Sequence, residues 1–180
     1  MLLLFVSTIA CEGMEKISSQ SVNSELDKTS PEPIALLSEM SIGELLITEI
    51  MQNPEQAFDW KGEWIELYNP STVSIDLDGL QLVSTSEAGF TVSGSLVVPA
   101  GEFVVFAPSA SLNLNGGVSV DYNYVYNDFK ISETEEISIS YDGTEFDSIS
   151  YQTGAGNILS GYSLSLMPQY FDEQGNDNQD

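Results

Sequence analysis

Apolar residues recur at every second position in several short segments of the chain, which is the period of a half-buried β-strand. Ile65 and Leu67 alternate with aromatic and acidic neighbours, so a strand at this place has one aliphatic face. Ile137 and Ile139 alternate with Glu and Ser in the same way. The segment 103–106 is apolar at all four positions, which predicts a strand buried between two layers.

Turn residues and breaks in the alternation predict how these strands are joined. Asp142-Gly143 separates two alternating segments and favours a two-residue hairpin turn, because a type I′ turn needs positive φ at both central residues. Apolar positions on the two sides of Gly79 are out of step, and Phe146 is out of step with Ile149. Each phase slip predicts a bulge or a bend, and Gly79 is the natural place for one.

These segments together predict an all-β domain of about seven to nine strands. From residue 43 onward, no run of ten or more residues has helical periodicity. The apolar content is 42%, which is enough for a buried core. The domain is expected to span residues 42–168.

Four motifs in sequence order resemble the lamin tail domain, an immunoglobulin-like module found on nuclear lamins and on many exported bacterial proteins. The motifs lie at residues 47–54, 62–69, 76–82 and 99–105, and the similarity extends from Ile47 to Leu166. The resemblance implies an antiparallel β-sandwich, and nothing in the family makes its signature positions catalytic. Those positions are Glu49, Asn53, Glu66, Asn69, Asp76 and Gly79.

Two flanks are predicted to lie outside the domain. Residues 12–41 are rich in Ser, contain two Pro and lack aromatic residues, which is typical of a flexible polar linker. The apolar run 34–37 within this linker is interpreted as a passing patch rather than a docked segment. Residues 169–180 are acidic and rich in amides, which predicts a disordered tail.

Residues 1–11 have the character of a targeting segment. The apolar run that begins at Leu2 is much shorter than the roughly 20 residues that span a bilayer. It ends at Ala10-Cys11, which resembles the end of a bacterial lipobox and implies lipidation of Cys11. Cys11 is the only cysteine, and an unpaired cysteine in an exported chain needs such an explanation. The alternative is a secreted protein whose signal happens to end near a cysteine.

The charge balance limits both partners and chemistry. The chain has 28 acidic and 4 basic residues, a net charge of −24, and the basic residues are all Lys. Nucleic acids are bound through cations that neutralise phosphates, so nucleic acid is excluded as a partner. Histidine is absent, which excludes histidine-based acid–base catalysis, and the single cysteine is assigned to the lipid. The chain is therefore predicted not to be an enzyme and to need no cofactor.

Two features could still carry binding. Asp76 and Asp78 precede Gly79 and could offer carboxylates to calcium, although Asp-Gly is more simply explained as turn chemistry. The tyrosines between Tyr122 and Tyr126 could form a platform for a glycan, or an edge strand with half-buried rings, and we favour the edge strand.

Three functions therefore compete. The first is a lipid-anchored surface module that binds an unknown surface protein or glycan, or serves a structural role, without catalysis. The second is a calcium-dependent adhesin or carbohydrate-binding module. The third is a piece of a larger exported hydrolase or nuclease, since the family usually continues beyond the strand at residues 161–166 with a Trp-containing segment that this chain lacks.

Overall fold

The computed structural model describes residues 32–85, 89–152 and 160–171, which belong to one compact unit, residues 31–180. This part of the chain contains twelve strands, one single-turn helix and two 3-10 turns. The strands are β1 (Ile34–Leu36), β2 (Leu46–Met51), β3 (Trp64–Tyr68), β4 (Ser74–Asp76), β5 (Gln81–Ser84), β6 (Phe90–Thr91), β7 (Val97–Val98), β8 (Phe103–Ala107), β9 (Tyr122–Asn123), β10 (Thr134–Tyr141), β11 (Thr144–Gln152) and β12 (Leu164–Ser165). The helix, α1, is Asp59–Gly62, and the 3-10 turns are Leu37–Glu39 and Pro168–Tyr170.

The strands form a β-sandwich around one core. The five-stranded sheet has the order β12-β2-β3-β8-β9, and the four-stranded sheet has the order β11-β10-β5-β6. A smaller sheet, β1-β4-β7, adds its inward residues to the same core. The predicted aliphatic face of β3 is confirmed, because Ile65 and Leu67 are fully buried. Ile137 and Ile139 are also fully buried and face that core from β10.

The predicted hairpin and bulge are both present. Asp142 and Gly143 join β10 to β11 with φ of 47° and 82°, as a type I′ turn requires. The register between β10 and β11 shifts at Phe146, so this residue and Asp147 are buried in succession. The Asp147 carboxylate accepts a hydrogen bond of 2.7 Å from the Ile47 N–H, which ties the bulge to β2.

The prediction that residues 103–106 are buried on both faces is wrong. Val104 and Phe106 are buried, whereas Phe103 lies on the outer face of the five-stranded sheet and is 43% exposed. No second sheet covers that face within the described residues. Phe103 instead packs with Tyr68 and Phe171 at ring-centroid distances of 4.6 and 6.1 Å.

Both predicted flanks need correction where the structure describes them. Within the predicted linker 12–41, residues 34–36 form β1, which pairs in parallel with β4, and Leu37 is buried. The apolar run 34–37 therefore docks on the domain, because Ala35 and Leu37 pack against the core, although Ile34 and Leu36 stay exposed. Within the predicted tail 169–180, the 3-10 turn at 168–170 brings Phe171 against Tyr68 at 5.2 Å. Residues 12–31 and 172–180 of the two flanks lie outside the described part.

The bend at Gly79 and the edge strand at Tyr122 are confirmed. Gly79 has φ of 92° and lies between β4 and β5, which belong to different sheets. β9 is the outermost strand of its sheet and pairs in parallel with β8. Tyr122 is half-buried there, and Tyr124, just beyond the strand, is almost fully buried.

Candidate ligand-binding site

The signature carboxylates Glu49 and Glu66 lie opposite each other on β2 and β3. Each accepts a hydrogen bond from a hydroxyl group, Glu66 from Thr48 at 2.8 Å and Glu49 from Ser163. Burial raises the pKa of Glu66, the Thr48 hydroxyl lowers it, and the Glu49 charge raises it again. The two side chains therefore join β2, β3 and the segment before β12, which is a structural role.

Asn69 follows β3 and is fully buried. Its amide nitrogen lies 2.9, 3.1 and 3.0 Å from the carbonyl oxygens of Val73, Val98 and Pro99. Its amide oxygen accepts hydrogen bonds from the N–H and the hydroxyl of Ser71. One side chain thus satisfies backbone groups from two loops, and no free atom of it is left to bind a ligand.

The carboxylates of Asp76 and Asp78 mainly hold the loop between β6 and β7. Asp76 accepts hydrogen bonds from the Ser95 hydroxyl at 2.8 Å and from the Leu96 N–H at 3.0 Å. Desolvation raises the pKa of Asp76, but these bonds and one from the Asp78 N–H outweigh it, so the pKa is lowered. Asp78 accepts from the Gly94 N–H at 2.9 Å. The described residues contain no cluster of three or more metal-binding side chains.

Glu63 is a buried carboxyl group that the sequence did not reveal. It lies between α1 and β3, is only 3% exposed, and accepts a hydrogen bond from the Ile131 N–H at 3.1 Å. Burial raises the pKa of Glu63 to about 8, and the Ile131 bond only partly opposes this effect. Asp59 adds to the rise, and Lys130 acts against it.

Tyr124 is buried close enough to Glu63 for the two groups to affect each other electrostatically. Its hydroxyl group is buried without a hydrogen-bond partner among the described residues. Burial raises the pKa of Tyr124, and the negative charge of Glu63 raises it further. The alternation pattern places Glu63 at the end of a strand, where a residue is usually exposed to solvent. The pattern therefore gave no indication that Glu63 and Tyr124 are buried near each other.

Two loops meet at one end of the five-stranded sheet and form a groove. β3 and β8 are antiparallel, and Ile65 pairs with Phe106, so the loop before β3 and the loop after β8 emerge at the same end of the sheet. The groove between them has a volume of about 360 Å³. We call it the loop-end groove, and it is lined by Glu55, Gln56, Ala57, Phe58, Asn113 and Leu114.

A second cavity of about 180 Å³ shares the wall formed by residues 55–57 and reaches inward to Trp64 and Asn115. Gly62 lies at its base, and a Cβ atom there would stand 2.5 Å from the Ala57 Cβ. The signature residue Asn53 supports the same region, because its carbonyl accepts the Gly161 N–H at 2.7 Å. The contact with Ala57 explains why Gly occupies position 62, since any larger residue would collide there.

Three large apolar side chains stand exposed around the loop-end groove. Phe58 is 74% exposed, Trp60 51% and Leu114 54%. We call them the loop-end patch. Exposed apolar clusters on soluble domains commonly mark interaction sites. The sequence prediction missed this patch because it sought aromatic residues near Tyr122, whereas Phe58-Asp59-Trp60-Lys61 carried the indication of aromatic residues in a polar loop.

Cys11 lies outside the described residues, and no helix within the described ranges has the length and apolar character needed to cross a bilayer.

Sequence comparison identifies the family. Comparison with curated proteins finds no significant match to the chain. The family model of the Lamin Tail Domain matches residues 38–153, which is well over half of the chain. The chain therefore belongs to the lamin tail domain family, and its strands form the immunoglobulin-like sandwich of that family.

Proposed function

We propose that this chain is a non-catalytic binding module, exported and held at the bacterial cell surface by a lipid on Cys11. The binding role rests on the loop-end patch, in which three large apolar side chains are exposed on a chain of net charge −24. Such exposure opposes solubility and contributes nothing to the core, so a partner that covers it accounts for it best.

The absence of catalysis is supported by how the carboxylates are used. Glu49 and Glu66 accept hydroxyl hydrogen bonds, Asp76 and Asp78 accept backbone N–H groups, and Glu63 is buried. Histidine and arginine are absent from the whole sequence. A pair of free carboxylates facing one cavity, as glycoside hydrolysis needs, is not found among the described residues.

Surface display is supported by the apolar run that ends at Ala10-Cys11 and by the polar segment that follows it. Metabolic labelling with a palmitate analogue tests the lipid. We expect the wild-type chain to be labelled and recovered with membranes, and Cys11→Ser to be unlabelled and soluble. Equal labelling of both chains, or recovery of the wild type in the soluble secreted fraction, would refute the anchor.

Binding through the loop-end patch is tested with the full chain carrying Cys11→Ser, which keeps it soluble. We expect the added double substitution Phe58→Ser/Trp60→Ser to weaken binding to cell envelopes of the source organism at least about ten-fold, because the contact would lose its aromatic anchors. Sedimentation of the labelled chain with envelopes measures this.

The matched control is Val83→Ser/Val97→Ser, which removes two side chains of 42% and 41% exposure on other strands. It should bind as the parent does. Binding that the Phe58→Ser/Trp60→Ser chain retains in full would exclude the loop-end patch as the binding face.

A further inference from the structure

We propose that the loop-end groove binds a neutral saccharide, with Phe58 and Trp60 as the stacking surface and Glu55, Gln56 and Asn113 as hydrogen-bonding groups. This inference rests on the proposed binding function and names its ligand class. It differs from the tyrosine platform considered from the sequence, because Tyr124 is buried.

The groove is held in shape without a ligand. Asn115 is buried, and its amide nitrogen donates to the carbonyls of Ser109 at 2.9 Å and Val118 at 2.8 Å. Its amide oxygen accepts the N–H groups of Gly117 and Val118. This side chain fixes the loop after β8, so Asn113 and Leu114 are presented at set positions, and little conformational entropy is lost on binding.

The aromatic surface beside the groove is suited to the C–H face of a sugar ring, since Phe58 lines the groove and Trp60 lies next to Phe58. The rings of Phe58 and Trp60 are 6.2 Å apart between centroids and only 15° from parallel, so they offer neighbouring surfaces of similar orientation. The Lys61 ammonium lies 4.6 Å from the Trp60 ring centroid and holds the indole by a cation–π contact. Trp60 still remains 51% exposed, which leaves aromatic surface for a ligand.

The other groups that line the groove suit hydroxyl groups. Glu55, Gln56 and Asn113 are exposed, and their side chains make no hydrogen bond to any other described residue. A carboxylate and two planar amides provide both donors and acceptors, as the alternating hydroxyls of a sugar require. A purely apolar ligand would leave these groups desolvated and unpaired, at a cost in affinity.

Charge and topology disfavour other ligand classes. Glu55 lies in the groove and the chain has net charge −24, so phosphates, nucleic acids and acidic glycans are repelled. The groove is formed by loops rather than by the edge of a sheet, so an extended peptide cannot add a strand there. A neutral saccharide can stack on the aromatic rings and form hydrogen bonds with the polar side chains.

Isothermal titration calorimetry gives a direct test, because its signal does not depend on Trp60, which some of the variants replace. The Cys11→Ser chain is first screened on an array of neutral and acidic oligosaccharides, and the best neutral binder is then titrated. We expect saturable binding that Trp60→Ala and Phe58→Ala each weaken at least ten-fold. Trp60→Phe should restore most of the lost affinity, and Asn113→Ala should weaken it several-fold.

The control Val125→Ala changes an exposed residue outside the groove and should leave affinity unchanged. The melting temperatures of all these variants should match the parent, since the altered side chains are exposed. The saccharide inference fails if no neutral saccharide binds at millimolar concentration. It also fails if the substitutions at Phe58 and Trp60 leave the affinity unchanged. Envelope binding that is lost in Phe58→Ser/Trp60→Ser but resists competition by saccharides would keep the binding module and point to a protein partner.

Discussion

Replacing Asn69 by alanine is expected to destabilise the domain by about 3 kcal/mol or more, since each buried carbonyl left without its donor costs roughly 1–3 kcal/mol. The amide nitrogen of Asn69 serves three carbonyls, from Val73, Val98 and Pro99, and its oxygen holds Ser71. Val98 belongs to β7, so the loss should loosen the contact of the small sheet with the end of β3. Urea unfolding followed by tryptophan fluorescence measures the change.

The isosteric substitution Asn69→Asp is expected to be at least as damaging as alanine. It keeps the shape of the side chain but replaces the donating NH₂ with a second acceptor oxygen, which then faces three carbonyl oxygens. Asn113→Ala, at an exposed position, is the control and should change the free energy of unfolding by less than about 0.5 kcal/mol. A cost for Asn69→Asp well below that of Asn69→Ala would contradict the donor role.

Glu63→Gln is expected to remove a loss of stability that the wild type undergoes as the pH rises from 5 to 9. The folded-state pKa of Glu63 is about 8 against an unfolded value near 4.5, so the folded chain keeps a proton that the unfolded chain has lost. Between these two values the free energy of unfolding falls as pH rises, by up to about 1.4 kcal/mol per pH unit for one proton. Below pH 4.5 the contribution of this group is constant, and above pH 8 the full penalty is present.

At pH 9 the wild type therefore holds an ionised carboxylate in the interior, whereas the glutamine is neutral. Its amide oxygen can still accept the Ile131 N–H. We expect Glu63→Gln to gain on the order of 4 kcal/mol relative to the wild type between pH 5 and pH 9. Urea unfolding at intervals across this range measures the difference, and Glu102→Gln, on an exposed turn, is the matched control. A difference between wild type and Glu63→Gln that does not vary with pH would show that the carboxyl group is not buried in the way described.

Much of the architecture was predictable because it follows from local chemistry. Alternation placed Ile65, Leu67, Ile137 and Ile139 in the core, since successive side chains of a strand point to opposite faces. Asp142-Gly143 specified its turn because few other residue pairs adopt positive φ twice in succession. Even the bulge at Phe146 was visible, because an extra residue shifts the phase of the pattern on one strand.

The errors arose where burial depends on what covers a surface. The apolar run at 103–106 predicted that Phe103 is buried in the core. In the structure, Phe103 faces outward beside Tyr68, and Phe171, which lies 68 positions later in the chain, covers it in part. The run at residues 34–37 reads as a linker, yet it completes the small sheet through β4. Neither contact leaves a periodic trace, because each joins segments that are far apart in sequence.

The sequence by itself determined the fold class, the principal hairpin, the family and the chemistry that the missing histidine and arginine exclude. Only the tertiary structure decided which loops meet and which carboxyl group is buried. The loop-end groove exists because β3 pairs with β8 in antiparallel register, which brings residues 55–58 and 113–114 to one end of the sheet. Glu63 is buried because Ile131, from a segment 68 residues away, supplies its hydrogen bond. Strand order is a property of the whole chain, so sites formed between loops cannot be read from the residues of either loop alone.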